Sequence, residues 1–373
     1  MVKSDLLAKL KRRRGKVRGK KLDLQGQRPM ISEPSKLDSS MADDLISIYQ
    51  DATTLVTGGA GFIGSNLVRR LLALKVAKVV VLDDLSSSYA WNLPRDRRVQ
   101  FIQGSILDDE KLTGAFESRP QYVFHLAAHF ANQNSVDHPE QDLTVNGMGT
   151  LKALRLARIG DARRFVFASS GCSVYGSDAP LPLKEDFVST HLDTPYQITK
   201  LLGELYCNYF SDLYGMKIGI PRFFNVYGPG EVPGSYRNVI PNFIYWALKG
   251  KSLPITGTGD ETRDFTFVED IVGGILKCGY VEQAAGEAMN LASGVETRII
   301  DLAKSINKLT GNEKGVVMQP KRDWDKSTRR RASIDKAKRL IGYKPSTSLE
   351  LGLHSTLAWF REQWDLIQRD ARF

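Results

Sequence analysis

The chain has 373 residues, 42% of them hydrophobic and 25% charged, with a formal net charge of +10. That length allows two to three structural units at about 150 residues each, and the balance is that of a folded chain with a full apolar core, not a disordered one. No apolar run approaches the ~18 residues of a membrane-spanning helix; no apolar segment follows the basic start, so no signal peptide is expected; and Cys172, Cys207 and Cys278 are too scattered for a disulfide framework or a CxxC metal site, which points to a cytoplasmic protein.

The charge is concentrated at the start. Residues 1–21 carry ten Lys or Arg and one acid, Asp5, so they hold +9 of the +10. A uniformly basic nucleic-acid-binding domain is therefore not expected. Residues 1–35 read as a flexible basic extension. Its run Lys9-Leu10-Lys11-Arg12-Arg13-Arg14 suits anionic membrane or RNA, although a solubilising tail, or an overextended start ahead of Met30 or Met41, is the plainer reading. Residues 41–50 can form a short helix.

From Thr53 the pattern becomes regular. Short β-branched or apolar runs at 53–57, 78–82, 99–102, 122–126, 165–168 and 217–220 predict strands, with helical spacing over 62–75 and between most of the others. Alternating strands and helices predict an α/β fold with a doubly wound parallel sheet. After residue 222 the alternation loosens, which predicts a smaller C-terminal lobe against the carboxyl ends of the strands. The expected units are 52–222, a Rossmann domain, and 223–365, a mainly substrate-binding lobe that partly returns to the first.

Directly after the first strand, Gly58, Gly61 and Gly64 recur in a GxxGxxG spacing that opens a helix. Glycine permits the tight turn and close backbone approach to a pyrophosphate, and the helix start offers free N–H groups to that anion. Asp83 ends the second strand, 19 residues after Gly64. A carboxylate there accepts hydrogen bonds from ribose hydroxyls and repels a 2′-phosphate, favouring NAD over NADP. Tyr196 and Lys200 stand at i and i+4, on one face of a helix, where an ammonium can stabilise a phenolate and bring its pKa down.

Thr57–Gly64 together with Tyr196-Gln197-Ile198-Thr199-Lys200 resembles the extended short-chain dehydrogenase/reductase family, in particular its nucleotide-sugar epimerase and dehydratase branch. The likeness runs from about residue 52 to about 365 through His125-Leu126-Ala127-Ala128, Ser169-Ser170 with Val174-Tyr175-Gly176, Pro221–Pro229, Arg263-Asp264-Phe265 and Lys336–Pro345. It implies that Tyr196 takes a sugar hydroxyl proton and that Lys200 holds the nicotinamide ribose. Where the family expects a catalytic Ser or Thr, this chain has Gly171; Ser170 is the expected substitute, with Ser173 as the alternative.

The resemblance further implies that the dinucleotide is held by Gly58, Gly61, Phe62, Ile63, Gly64, Asp83, Ser86, Ser105, Ile106, Leu126, Ala127, Ala128, Asn146, Ser169 and Phe223, besides Tyr196 and Lys200. Ser173, Asn225, Val239, Arg263 and Arg322 would meet the nucleotide diphosphate, and the loop 231–237 would border the pocket. His129 is placed to touch cofactor or substrate, whereas His125 reads as a buried strand-end residue. No metal site is expected.

Dehydratases and decarboxylases of the family place an acid just before Val-Tyr-Gly. Gly171, Cys172 and Ser173 stand there instead, which favours oxidation followed by return of the same hydride: epimerisation of a nucleotide-diphosphate sugar, UDP-linked and at C4. A decarboxylase, a dehydratase and a non-catalytic NAD-binding protein are the competing readings. A homodimer through helices around 140–158 and 195–214 is also implied.

Overall fold

The computed structural model describes residues 39–373, with side chains from Asp44 onward; the basic extension at 1–35 lies outside the described residues. Helix α1 (Ser39–Tyr49) leads into β1 (Thr53–Thr57), α2 (Phe62–Ala73), β2 (Lys78–Asp83), β3 (Val99–Gln103), α3 (Asp109–Phe116) and β4 (Tyr122–His125). Two short helices, α4 (Asn132–Asp137) and α5 (Pro139–Asp142), and a π-helical turn (Leu143–Gly149) run into α6 (Thr150–Ile159). Then come β5 (Arg164–Phe167), β6 (Ser169–Ser170), α7 (Pro195–Tyr214) and β7 (Ile218–Phe223). These strands lie in one parallel sheet of order β7-β5-β4-β1-β2-β3, with β6 beside the end of β7.

Neighbouring side chains of each central strand point to opposite faces, so a strand buried on both sides must be apolar throughout. Leu55 packs with α3, α6 and α7 through Leu112, Leu154 and Phe210, while Val56 packs with α2 through Leu67 and Leu71. Each such side chain, fully buried, contributes about 1.5–3 kcal/mol.

The chain then leaves the sheet. It forms β8 (Val226–Tyr227), α8 (Val239–Leu248), β9 (Leu253–Thr256), β10 (Thr262–Asp264), β11 (Thr266–Phe267) and α9 (Val268–Cys278), and returns as β12 (Glu287–Leu291). Strand β12 pairs in parallel with β7, Glu287 opposite Gly219 through Leu291 opposite Phe223, and extends the sheet at that edge. The remaining elements are β13 (Glu296–Arg298), α10 (Ile299–Thr310), β14 (Val316–Gln319), α11 (Asp335–Ile341), α12 (Leu349–Glu362) and α13 (Trp364–Asp370). A separate core of Phe243, Ile255, Phe267, Leu302, Ile306 and Phe360 holds the second lobe. Among the described residues no helix is long and apolar enough to cross a membrane.

Candidate active site

A cleft of about 670 Å³ runs along the carboxyl ends of the strands, between the sheet and the second lobe. Its first arm is built on the β1–α2 turn. Gly58 adopts φ +71°, and a Cβ there would sit 2.7 Å from the Ala127 nitrogen. A Cβ at Gly64 would overlap the Gly58 carbonyl oxygen and sit 2.7 Å from Gly59 Cα. Gly61, which precedes α2, provides no side-chain cap, so first-turn N–H groups remain open to an anion.

Asp83 closes this arm. Its carboxylate accepts from the Ala60 N–H at 2.9 Å, the Leu85 N–H at 2.9 Å and the Ser88 hydroxyl at 2.6 Å. Burial pushes its pKa up, and those three bonds pull it back. Phe62, Ile63, Ser86, Ser105, Ile106, Leu126, Ala127, Ala128, Ser169 and Phe223 complete the lining with Gly58, Gly61, Gly64 and Asp83. The open cradle, free helix N-terminus and strand-end acid fit a dinucleotide.

At the centre of the cleft, α7 begins with Thr194 as its cap and Pro195 at its first position, a sequence that starts a helix without wasting a donor. This sets Tyr196 and Lys200 on the inner face. The Lys200 ammonium donates to the Ala168 carbonyl at 2.8 Å and lies 5.6 Å from the Tyr196 ring centroid. Ser170 also lines the cleft here, and its hydroxyl pulls the Tyr196 pKa down.

The electrostatics differ from the sequence expectation. Burial, reinforced by Asp142 and Cys172, pushes the Tyr196 pKa up, and only the Ser170 hydroxyl opposes it. Lys200 is itself held down to about 8, by burial. Without ligands the pair is therefore a neutral phenol beside a weakly held ammonium. His125 is pushed down to about 3 by burial and then by Lys200; neutral, it bridges Thr57 at 2.8 Å and Thr150 at 3.1 Å.

The second arm carries cations. Arg263 ion-pairs with Asp325 at 3.1 Å. Arg322 lies 5.7 Å from the Trp324 ring centroid. Asn225, Val239, Arg263 and Arg322 all line the cleft, as do Glu231, Ser235, Tyr236 and Arg237 of the 231–237 loop. Arg237 donates across the cleft mouth to the Ser87 carbonyl. Burial pushes Glu231 up to about 7.

Two expected contacts are set back from the cleft. Asn146 is spent internally: its side-chain oxygen accepts from the His129 N–H at 2.8 Å and its amide donates to Asp142 at 2.8 Å. Ser173 is fully buried, and no hydrogen-bond partner meets its hydroxyl. The turn after β6 carries it behind the wall that Ser170 and Cys172 present.

Other lining residues had no sequence signal of their own. Phe130 and Ala131 end an aperiodic loop that leads into α4, and Ala131 has φ +121°, a costly angle for a side-chain-bearing residue. The loop places Phe130 edge-on to Tyr196, centroids 6.1 Å apart, and Gln133 accepts from Trp324 Nε1 at 2.7 Å, joining the two lobes. Arg330 lies hidden in the run Arg329-Arg330-Arg331; it is buried, lines the cleft and donates to the Cys172 carbonyl at 3.0 Å.

Residues 54–292 match the NAD-dependent epimerase/dehydratase family. A UDP-glucose 4-epimerase of Mycolicibacterium smegmatis is 37% identical over 316 residues, covering 83% of this chain and 99% of that protein. A UDP-N-acetyl-alpha-D-glucosaminuronate decarboxylase of Bacillus cytotoxicus is 32% identical over 318 residues, covering 83% of this chain and 97% of its own. The solved structure of an epimerase from the pseudomurein-containing methanogen Methanothermobacter thermautotrophicus superposes with a TM-score of 0.88 at 56% identity, covering 90% of this chain and 99% of the other.

Proposed function

This chain belongs to the NAD-dependent epimerase/dehydratase family, and on that premise we propose that it inverts the C4 hydroxyl of a UDP-linked sugar. The observation that carries the reading is the composition of the wall around the Tyr196 phenol. Ser170, Cys172 and Phe130 flank it, and no carboxylate lines the cleft beside it among the described residues. Asp142, whose charge the phenol feels, is buried behind α7 and held by Thr199 at 2.6 Å and Asn146 at 2.8 Å. The cleft's own acids are engaged elsewhere: Asp83 with the glycine turn, Asp84 with the Ser86 N–H, Glu231 with Asn238, and Asp325 with Arg263. With no acid at the reacting carbon to protonate a leaving hydroxyl, the wall favours return of the hydride over expulsion of water.

Once ionised beside the Lys200 ammonium, Tyr196 removes the C4 hydroxyl proton and returns it, with Ser170 steadying the phenol oxygen. NAD, bound along Gly58–Gly64 and Asp83, supplies the reversible hydride acceptor. Lys200, tied to Ala168, orients the cofactor's ribose and adds positive charge beside the phenol. Arg263 and Arg330 face the diphosphate, where a planar guanidinium matches two oxygens at once. Incubation of the protein and NAD with UDP-sugars is expected to give an isomer of unchanged mass, inverted at C4 by NMR, with no net NADH. A product lighter by carbon dioxide or water would identify a decarboxylase or dehydratase, as in the Bacillus relative, and overturn the proposal.

The reading includes a homodimer. Ile198, Leu205, Tyr209 and Leu213 of α7 are each at least 50% exposed and share a stripe with Leu143 of the adjoining π-helical turn. A contiguous apolar stripe on a soluble fold marks an interface. Leu205→Glu with Leu213→Glu is expected to convert a dimer to a monomer in light scattering, with unchanged circular dichroism. An unaltered mass would place the interface elsewhere.

A further inference from the structure

Beyond the cations, the second arm ends in a pocket that the mechanism leaves unused. Its walls are Val239, Phe243 and Trp246 of α8, Ile255 of β9, Ile299 of α10 and Phe373. Phe373 follows α13, and its ring centroid lies 4.4 Å from that of Trp246 and 5.2 Å from that of Tyr245. The ring is half exposed, at 52%. The residues just before it, Asp370 and Arg372, are by contrast tied on both sides of the cleft mouth. Ser235 N–H donates to the Arg372 carbonyl at 2.8 Å, alongside a bridge between Gly234 and Arg372. From the first lobe, Tyr89 donates to the Asp370 carbonyl at 2.8 Å and Trp91 Nε1 to the Asp370 carboxylate at 2.7 Å.

The ring thus packs on Trp246 and Tyr245 and leaves about half of itself open where it lines the cleft. Burying that half in the fold would be favourable, yet the 370–373 segment is anchored so that it stays open. The neighbouring arginines are suited to a diphosphate, and an apolar, aromatic-walled pocket beside them is suited to a flat heteroaromatic ring, which stacks on an aromatic face with little regard to its hydrogen-bonding pattern.

We propose that Phe373, backed by Trp246, is the stacking platform for the base of the nucleotide sugar. Residues 370–373 are then part of the substrate site and tie it to the first lobe at Tyr89 and Trp91. This rests on the nucleotide-sugar reading and adds to it a residue outside the segment that matches the family.

The test is calorimetric titration of the holoprotein with UDP, TDP, CDP and GDP, which requires no turnover. Phe373→Ala is expected to weaken the bound nucleotide about tenfold or more, Phe373→Trp to retain it, and NAD affinity and melting temperature to stay unchanged. In turnover, Phe373→Ala raises KM and leaves kcat within about twofold. If the nucleotide binds the wild type and Phe373→Ala within twofold of each other, the stacking role is overturned while the function proposed above stands. If none of the four binds the wild type, both fall.

Discussion

Tyr196→Phe is expected to lower kcat by about 10²–10⁴-fold, the span of a lost general acid–base group, while NAD and UDP remain bound. The substitution removes one oxygen from a ring whose position is fixed elsewhere. The Tyr196 N–H donates to the Ser135 hydroxyl at 3.0 Å, and Phe130 packs edge-on at 6.1 Å. Ground-state binding should therefore survive, and the loss should fall on kcat. Near-normal turnover would remove Tyr196 from the proposed role.

The pH profile of the unmodified protein tests the same pair. Burial holds Lys200 down to about 8, against the upward pull of Asp142, Cys207 and Glu204. Below that pH the ammonium is charged and can offset charge on the phenolate; above it the charge is lost. Since kcat/KM follows the free enzyme, it should rise with pH as the raised Tyr196 phenol ionises and level off above about pH 8, where loss of the Lys200 ammonium cancels that gain. His125, already neutral above about 3, adds no limb near pH 6. A rise that continued unbroken to pH 10 would exclude Lys200 as the supporting charge.

The first lobe was readable because its strands are buried on both faces. Runs such as Val79-Val80-Val81 leave no alternative to a central parallel strand, and all the expected strands start within one residue of the observed ones. The second lobe was not readable, since β8 and β11 have two residues each and pair with one another across the intervening helix α8. Strand β12 likewise joins β7 from 64 residues on, a pairing that no local pattern announces. In the cleft, the residues with a local mechanism were visible in advance: the glycine turn, the strand-end acid and the Tyr/Lys pair. Asn146 and Ser173 were placed by analogy of position, and a hydrogen bond to a loop backbone and a turn after β6 set them back. Phe130, Arg330 and Phe373 reach the cleft through tertiary packing alone.

Gly171 carries the second large effect. Placing there the serine that the family resemblance implies is expected to damage the protein. A Cβ at Gly171 would overlap the ring of Phe224, which is fully buried and 6.3 Å by ring centroid from Tyr175. Forcing atoms into a packed core costs about 1–3 kcal/mol and at times more. The strain would act on the turn that aims Ser170 at Tyr196, so Gly171→Ser should lose both denaturant stability and kcat. The ring and the glycine are thus one unit, with the hydroxyl supplied from one residue earlier. That coupling separates this account from a generic intolerance of the loop. Phe224→Leu alone leaves a cavity and destabilises, but in combination with Gly171→Ser it vacates the space that the added side chain needs, so the double variant should be more stable than the sum of the single losses by about 0.5–3 kcal/mol. Strict additivity would mean that Phe224 is not what excludes a side chain at position 171, and the assignment of the hydroxyl to Ser170 would lose its structural reason.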